Sequence, residues 1–525
     1  MNTHHERGIA LVLALFLMTA LSVLGASLMF LSQTETYASM NYRMMSQARY
    51  AGEAGIQKAA NYLFDSGQYP IPGDAAALAN FDRTVSPVTL VSNGEPVVLS
   101  ATAAVASNYP VAAVQTAFNA TAQGTLAAGN ATITYSAYAT LLSMQVFESY
   151  GGTPNVVQTW ELTGTGGLTG ARNATVEVVA LIETPKVAAN TYGAFATNSG
   201  CGALTFGGNI TINSYDSSAL SGSTTPTMQA DGGDVGTNGN LSISGSVDVQ
   251  GNLYSPRTGV GTCDEGAVTA LTESGSAQVS GSVVQLPTVV TYPPPVVPSP
   301  SPLADVGLSS GGDQATTCGA LGLTPGAIAD VSAGTAQCNV TGDTITINGN
   351  GSTLSLPTLS LSAGVDLVMV ASGPVAAQYN FNSISLAGGS TIGASATSPT
   401  ESVLVNVVGK NPDSSDIAVP IDFTGGTYAA VTGCGTCSDY DASILQFVYG
   451  GSGEIRMTGN SGAAATFYAP DASVTFSGTS DLYGSVLANR INTTGSGNIH
   501  YDQRLSHDFW VAGHPMVGTF TWKRY

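Results

Sequence analysis

The stretch ERGIALVLALFLMTALSVLGASLMFLSQTE, Glu6 to Glu35, determines the fold of the N-terminal part of this chain. Its 23 residues from Ile9 to Leu31 carry no charge. A helix of this length, at about 1.5 Å per residue, is about 35 Å long and can cross a bilayer. A secretory signal peptide has a shorter apolar core with a small-residue cleavage site after it. The pattern therefore predicts a membrane-spanning helix rather than a conventional cleaved signal.

This helix is predicted to continue past the membrane to about Phe64, because no proline occurs before Pro70. Residues 9–64 then form one transmembrane and assembly helix. Small residues at helical spacing in its second half allow a close approach, either by another helix or by the protein's own β domain. The small-residue stripe is Ala48, Gly52, Gly55 and Ala59, and the apolar half includes Leu13, Leu17 and Leu21.

Arg7-Gly8 and the apolar run after it resemble the N-terminus of type IV prepilins, most closely that of the PilX-type minor pilins. Residues 47–63, QARYAGEAGIQKAANYL, resemble the second half of the same domain. The resemblance implies a leader of residues 1–8, cut by a prepilin peptidase, with a methylated mature N-terminus at Ile9. It also implies single-pass insertion in the inner membrane, then helix contacts with other pilins in a surface filament.

Leu13 departs from the pattern of the major pilins. In that family the fifth mature position is a glutamate, which pairs with the terminal amine of a neighbouring subunit. Leu13 occupies this position here, and the next acid is Glu35. The resemblance, with this departure, favours a tip or initiating position over the repeating shaft.

The charge balance restricts the partners of the chain. Lys and Arg total 14 against 34 Asp and Glu among 525 residues, so the net charge is −20. Nucleic-acid binding requires clustered basic residues, and we expect no nucleic-acid partner. Only 9% of residues are charged and 63 are glycine, which is typical of an extracytoplasmic β-rich protein.

The six cysteines all follow residue 200, and in an exported chain disulfides are the default expectation. The C-x-x-C spacing favours a local disulfide over a redox or metal role, since no second C-x-x-C completes a zinc site. The other connectivity cannot be read from the sequence, and one further pair is a guess. The local pair is Cys434 with Cys437, the guess is Cys318 with Cys338, and Cys201 and Cys263 remain.

Residues 65–190 predict a proline-rich connection and then three or four antiparallel strands. The segments 131–142, 156–166 and 171–184 alternate between apolar and polar residues and are separated by Gly-rich turns. A long helix followed by antiparallel strands suits the pilin-like arrangement of a helix against a sheet.

After Tyr192, short alternating runs recur, each followed by Gly, Asn or Ser. Strands of three to five residues with such corners predict a right-handed β-helix-like solenoid, and an ordinary β-sandwich is the alternative. The fold class is thus mainly β with one long N-terminal α-helix. The predicted parts are a solenoid segment 191–290, a Pro-rich linker and Cys-containing insertion 291–343, a second solenoid segment 344–510 and a tail 511–525.

Residues 466–502 carry a second resemblance. The run TFYAPDASVTFSGTSDLYGSVLANRINTTGSGNIHYD is similar to a C-terminal β-helix domain of uncharacterised pilus-assembly-type proteins, which pair it with a PilX-like N-terminus. The family implies a surface structure and no reaction.

The candidates for chemistry are weak. Asp231 and Asp234 lie in a Gly-rich loop that could hold calcium but matches no calcium motif, so a turn is favoured and no cofactor is expected. The string GLSSG, residues 307–311, lacks the strand and helix of a nucleophile elbow. Three histidines could form a metal site, but polar capping of the solenoid is the favoured interpretation for them. They are His500, His507 and His514.

These observations predict a non-catalytic minor pilin or pilin-like subunit that presents a large extracellular β domain. The alternative is an adhesin for glycans or for host or abiotic surfaces. A third, less favoured hypothesis is a membrane-anchored β-helix enzyme acting on polysaccharides, which would need a cleft with convergent carboxylates.

Overall fold

The chain divides into two units, and the polypeptide passes from the first to the second and back. The computed structural model describes residues 6–65, 67–72, 75–128, 131–148, 154–169, 173–371, 373, 376–432, 434, 436–508, 510–513 and 516–524. Unit 1 comprises Met1–Phe147, Pro154–Lys186 and Ala512–Tyr525, and unit 2 comprises Glu148–Thr153 and Val187–Val511.

Unit 1 begins with a helix of 59 residues, longer than the predicted 9–64 by three residues at its start. Short helices and strands follow, and then a set of long strands. The elements are α1 Glu6–Phe64, α2 Ala75–Leu78, β1 Phe81–Asp82, β2 Thr89–Leu90, β3 Val98–Ser100, α3 Ala112–Thr121, β4 Gln123–Ala128, β5 Ala131–Glu148, β6 Pro154–Thr169 and β7 Ala174–Glu183.

The long strands of unit 1 form an antiparallel sheet in the order β3-β5-β6-β7, with β4 paired to β5. In β7, Val176, Val178, Ala180 and Ile182 are buried at alternate positions, as the period of two requires. They share a hydrophobic core with the second half of α1. The predicted helix against antiparallel strands is therefore present.

Unit 2, with its two junctions to unit 1, consists of many strands, which are short except for β33 and β34 with 17 and 15 residues. They are β8 Lys186–Ala188, β9 Ala194–Ala196, β10 Leu204–Gly208, β11 Thr211–Tyr215, β12 Val235–Thr237, β13 Leu241–Gly245, β14 Asp248–Val249, β15 Leu253–Ser255, β16 Leu271–Gly275, β17 Gln278–Val279, β18 Val283–Gln285, β19 Val306–Leu308, β20 Cys338–Thr341, β21 Thr344–Ile347, β22 Leu354–Leu356, β23 Leu359–Leu361, β24 Asp366–Val370, β25 Ala377–Phe381, β26 Ile384–Leu386, β27 Thr391–Ser395, β28 Val403–Val407, β29 Ile421–Thr424, β30 Tyr428–Thr432, β31 Leu445–Tyr449, β32 Glu454–Thr458, β33 Gly462–Gly478, β34 Asp481–Gly495, β35 Ile499–Asp502 and β36 Trp510–Ala512. Short helices occur at Ser217–Ala219, α4 Gln314–Ala320, α5 Ile328–Ser332 and α6 Leu505–Asp508.

The tail predicted at 511–525 is wrong for residues 516–524, which form a strand, β37 (Met516–Arg524). This strand pairs antiparallel with β7 at the edge of the unit 1 sheet. Unit 2 is therefore inserted between two neighbouring strands of unit 1 rather than appended after it. Sequence reasoning missed this because a strand nine residues long carries no mark of its distant partner.

In the described residues, 27 strands of unit 2 belong to one sheet, and most neighbours are parallel. Each strand typically pairs with the third strand before it and the third after it, as β24 pairs with β21 and β27. Aliphatic residues repeat at the same register and are buried, whereas their neighbours in sequence point outward. One such buried row is Leu359, Ile384, Ile421, Ile455, Val474, Ile491, Leu204, Leu241 and Leu271.

The two ends of unit 2 meet inside this stack. Strand β10 pairs with β13 on one side and with β34 on the other, and β9 and β11 are flanked in the same way. The two predicted solenoid segments, 191–290 and 344–510, are therefore continuous through their first and last strands. The order of the strands in the stack therefore differs from their order along the sequence.

Glycines form a column at one corner of the stack. Gly208, Gly245, Gly275, Gly478 and Gly495 all have positive φ and follow one another in register. A Cβ at Gly495 would contact the carbonyl oxygen of Gly478, because the neighbouring corner backbones lie against each other. Both the backbone conformation and the space require glycine here.

The predicted proline-rich spacer contacts the stack along its length; residues 290–301 are named the strap below. Val290 exchanges two hydrogen bonds with the side chain of Asn238, each 2.7 Å long. In the middle, Tyr468 donates to the carbonyl of Pro293 (2.7 Å), and at the far end Ser301 N–H donates to Asn382 Oδ1 (2.7 Å). The strap has no helix or strand of its own, and it is attached to the stack rather than free of it.

The rest of the predicted insertion, from residue 303 to 343, packs at one end of the stack. Strand β19 pairs with β23, the hairpin β20–β21 pairs with β24, and α4 and α5 contact β20. The chain is thus mainly β with one long N-terminal helix, as the sequence predicts. Antiparallel pairing, which a sandwich would require, is confined in this sheet to a few places.

Candidate functional site

The first half of α1 exposes its apolar side chains. Leu13, Leu17 and Leu21 are 64%, 57% and 60% exposed. The other large apolar residues from Ile9 to Leu31 are exposed as well. Within the described residues, this is the one helix long and apolar enough to cross a membrane. Burial in lipid or against other helices would stabilise such a surface by about 25 cal/mol per Å² removed from water.

The predicted cleavage point, between Gly8 and Ile9, lies in the first turns of α1, whose first residue is Glu6. The prediction that Gly8 and Ile9 flank a processed bond stays a prediction.

The small-residue stripe of α1 packs on the unit 1 sheet. A Cβ at Gly52 would lie 3.0 Å from Val178 Cγ2 and 3.1 Å from Gly164 O, and one at Gly55 would lie 3.3 Å from Ser136 O. Ala48 and Ala59 are fully buried. Of the two partners that the sequence left open for the stripe, the structure shows the protein's own β domain.

Two glycines of β6 complete this contact. Added Cβ atoms at Gly164 and Gly166 would collide with the carbonyl oxygens of Gly52 and Ala48, respectively. Helix and strand backbones therefore touch directly, without side chains between them. The sequence predicts a strand here but not the contact of these glycines with the helix, for which the run GTGG, residues 164–167, is the available signal.

All six cysteines form disulfides: Cys201–Cys263, Cys318–Cys338 and Cys434–Cys437. The first ties the loop before β16 to the turn before β10. The second joins α4 to β20, and the third closes the C-x-x-C loop, whose two cysteines are buried. Each bridge restricts the unfolded chain and so stabilises unit 2.

The Gly-rich loop with the weak calcium candidates Asp231 and Asp234 connects β11 to β12. Asp234 Oδ1 accepts hydrogen bonds from the backbone and side chain of Asn252, at 2.7 and 3.2 Å. Asp231 contributes its backbone carbonyl to Ser214 Oγ. Among the described residues, no three His, Cys, Asp or Glu side chains gather as a metal site. The expectation that no cofactor is bound stays untested, as does the weaker calcium alternative at Asp231 and Asp234.

The histidines near the C-terminus have separate environments. His500 is buried in β35, where its Nδ1 lies 2.6 Å from Asn213 Oδ1 of β11. His507 is exposed on α6, and His514 lies outside the described residues. His500 thus links β35 to β11 within the stack, and it does not cap an end of it.

Sequence reasoning missed a buried polar cluster beside His500. Asp502 accepts hydrogen bonds from the backbone N–H groups of Ser217, Ala442 and Arg504, at 3.1–3.3 Å. The Arg504 guanidinium donates to Asp441 at 2.7 Å. Burial raises the pKa of Asp502 to about 7. The available signal was the quoted IHYD run, since two of the three partners, Ala442 and Ser217, lie 60 and 285 residues away.

We expect His500 to destabilise unit 2 in acid. Burial lowers the pKa of His500, opposed by the nearby Asp481 carboxylate, so below about pH 6.5 the unfolded chain takes up a proton that the folded chain resists. Unfolding free energy then falls as the pH falls. Between pH 7 and pH 5, the melting temperature of the native protein should fall by about 2 °C more than that of His500→Gln.

Asp502 acts in the opposite direction, because a raised carboxyl pKa makes the folded state bind the proton more tightly between about pH 4 and pH 7. It is present in both proteins and cancels in the comparison. His507→Gln, at an exposed position, is the matched control and should behave as the native protein does. Equal pH dependence in His500→Gln and the native protein would contradict this account.

Two family models match the chain. Residues 7–57 match the PilX N-terminal family, and residues 382–507 match a domain of unknown function, DUF7305. The first match confirms the resemblance of the N-terminus to PilX-type minor pilins. The second covers β26 to α6 and includes the region of the second resemblance, but its description assigns no role.

The chain is also similar to a solved structure, the competence-associated pilin ComZ from Thermus thermophilus. The identity is 12%, with 91% of this chain and 97% of that chain covered, and the TM-score is 0.28. No curated protein matches the sequence significantly.

Proposed function

We propose that this protein is a non-catalytic pilin-like subunit, inserted in the inner membrane through Ile9–Leu31 and then assembled into a type IV pilus by the same helix. The observation that carries this proposal is the division of α1. Its first half is apolar and exposed, whereas its second half is packed on the unit 1 sheet. A simple anchor has no need of a rigid extension that is built into the folded domain.

The PilX-type match at residues 7–57 supports this role, because it spans both halves of the helix up to the packed stripe. Prepilin peptidase, other pilins and the inner membrane are the proposed partners. Leu13, exposed where shaft pilins carry a glutamate, supports a tip or initiating position at the cell surface.

The body of the subunit is proposed to be a right-handed β-helix formed by unit 2. The support is the parallel, in-register pairing of every third strand and the glycine column at the corner. Such a stack has a long, regular outer surface, which suits display outside the cell. The disulfides fit an oxidising compartment.

A catalytic role is disfavoured by the state of the carboxylates around one cleft in unit 2. Asp416, Glu454 and Asp471 line it, as a polysaccharide-active enzyme would require. However, Asp416 pairs with Lys410 at 2.6 Å, and hydrogen bonds from Thr475 and Arg456 lower the pKa of Glu454. Glycoside hydrolysis needs one carboxyl group with a raised pKa as general acid.

The N-terminus of the mature protein tests the proposal directly. Mass spectrometry of the protein from its native host should show N-methylated Ile9 as the first residue, and Gly8→Val should leave the leader attached because the peptidase recognises that glycine. Gly25→Val, in the apolar half where an added Cβ meets nothing within 4 Å, is the control and should be processed normally. An intact Met1, or a cut beyond Leu31, would overturn the pilin assignment.

A further inference from the structure

We propose that unit 2 binds a neutral oligosaccharide chain in a groove beside the strap. Two open cavities, of about 790 and 330 Å³, flank the strap and share Asp471 in their lining. The larger is bounded by Val297 of the strap and the loops after β28 and β31, and the smaller by strap residues 290–292.

The shape of the groove favours an extended ligand. Its lining includes residues in β31 and β33 and residues directly after β28, β9 and β12. These strands belong to one ladder in the order β28, β31, β33, β34, β9 and β12, in which β34 contributes no lining residue. Five steps of about 4.8 Å between neighbouring strands give a length of about 24 Å. A groove of this length accommodates several units of a linear polymer, whereas a compact metabolite would fill only a part of it.

The charges of the groove exclude polyanions. Asp416, Glu454 and Asp471 face it, against a single ammonium group, Lys410, which is already paired with Asp416. A chain carrying uronate, sulfate or phosphate groups would be repelled by this excess of negative charge. An uncharged chain is not.

The lining offers hydrogen-bonding groups suited to hydroxyls. Within the described part of the chain, the side chains of Asp471, Ser452 and Ser473 have no hydrogen-bond partner. The same linings include Val289 and Val297, which are 44% and 38% exposed. Sugar rings present hydroxyl groups at their rims and apolar C–H groups on their faces, which matches a lining that combines polar and apolar side chains.

The strap disfavours an extended peptide as the occupant. Peptides that bind in an extended form usually add a strand to an open sheet edge and need alternating backbone donors and acceptors. One wall here is the proline-rich strap, which lacks N–H groups at each of its prolines. The strands of the ladder are already paired on both sides.

Binding can be measured on the full-length protein in detergent, whether or not it assembles into pili, so this test is independent of the proposed function. Isothermal titration with the hexaoses of glucose, xylose, mannose and N-acetylglucosamine should detect binding of at least one, and hexagalacturonate should not bind. Asp471→Ala should weaken binding about tenfold, because its carboxylate accepts sugar hydroxyls. Ser473→Trp should abolish it by filling the cleft.

Asp305→Ala is the matched control, since Asp305 is equally an exposed aspartate of unit 2 but lies outside both cavity linings. It should bind as the native protein does, and the thermal unfolding of all variants should be unchanged. The proposal is overturned if no neutral hexaose binds at millimolar concentration. It is equally overturned if hexagalacturonate or an extended peptide binds better, or if Asp471→Ala and Ser473→Trp leave the affinity unchanged.

Discussion

Replacing Gly495 by alanine is expected to lower the unfolding free energy of unit 2 by roughly 4 kcal/mol, from strain at a left-handed position and from a steric clash. Gly495 has φ +106°, and an added Cβ would collide with the carbonyl oxygen of Gly478. The neighbours on both sides are backbone, so no flexible side chain can move away. Chemical denaturation followed by circular dichroism measures the loss.

Gly222→Ala is the matched control for the backbone term. Gly222 also has positive φ, +58°, but an added Cβ there meets nothing within 4 Å. Its substitution should cost only about 1 kcal/mol. Equal losses for Gly495→Ala and Gly222→Ala would show that the stacked corner contributes nothing beyond backbone conformation.

Gly166→Val should separate α1 from the unit 1 sheet. A side chain at this position would overlap the carbonyl oxygen of Ala48, so helix and strand could not keep their contact. The expected loss of unfolding free energy exceeds about 3 kcal/mol, because a clash with backbone cannot relax by a rotamer change. The variant should still insert in the membrane, since Ile9–Leu31 is untouched, while its unit 1 becomes sensitive to protease.

Gly167→Val tests whether the loss of stability depends on the face of β6 that contacts the helix. Gly167 is the next residue of β6, on the opposite face, where an added Cβ would meet only the Thr134 hydroxyl, at 3.1 Å. Valine also favours strands, so this variant should be close to native in stability and protease resistance. If both variants are equally destabilised, the effect comes from the strand and not from its contact with the helix.

Local patterns in the sequence were enough to predict the helix, the strands and the Cys434–Cys437 bridge. The uncharged run and the absence of proline set the length of α1, and Leu13 to Leu21 are as exposed as a membrane segment requires. The small residues from Ala48 to Ala59 predict a close contact, and their spacing shows which face of the helix makes it. The spacing does not show what the helix packs against. The contact with Gly164 and Gly166 identifies that partner as strand β6.

The repeat of unit 2 was harder to recognise, although its motif is present. An aliphatic residue, a polar residue, an apolar residue and then a glycine or serine precede the corner glycine in LTFGG, LSISG and VTFSG. The spacing between equivalent glycines varies, from 17 residues between Gly478 and Gly495 to 37 between Gly208 and Gly245, because loops of different length join the ladders. A fixed period therefore does not exist.

Long-range pairings lie beyond any local signal. Nothing near Leu204 indicates that it lies beside Ile491, and nothing near Met516 indicates Glu183. Likewise, Asp502 becomes a buried carboxylate only because Ser217 and Ala442 are brought to it by the fold. Such clusters depend on the register of the whole stack.

The insertion of unit 2 between β7 and β37 has a consequence for biogenesis. The ribosome must translate all of Val187–Val511 before β37 exists, which at about 5–20 residues per second takes roughly 15–65 s. During this delay the edge of β7 has open backbone donors and acceptors, as every unpaired edge strand does. The sheet of unit 1 therefore remains incomplete until unit 2 has been synthesised, and its closing strand is among the last residues of the chain to be made.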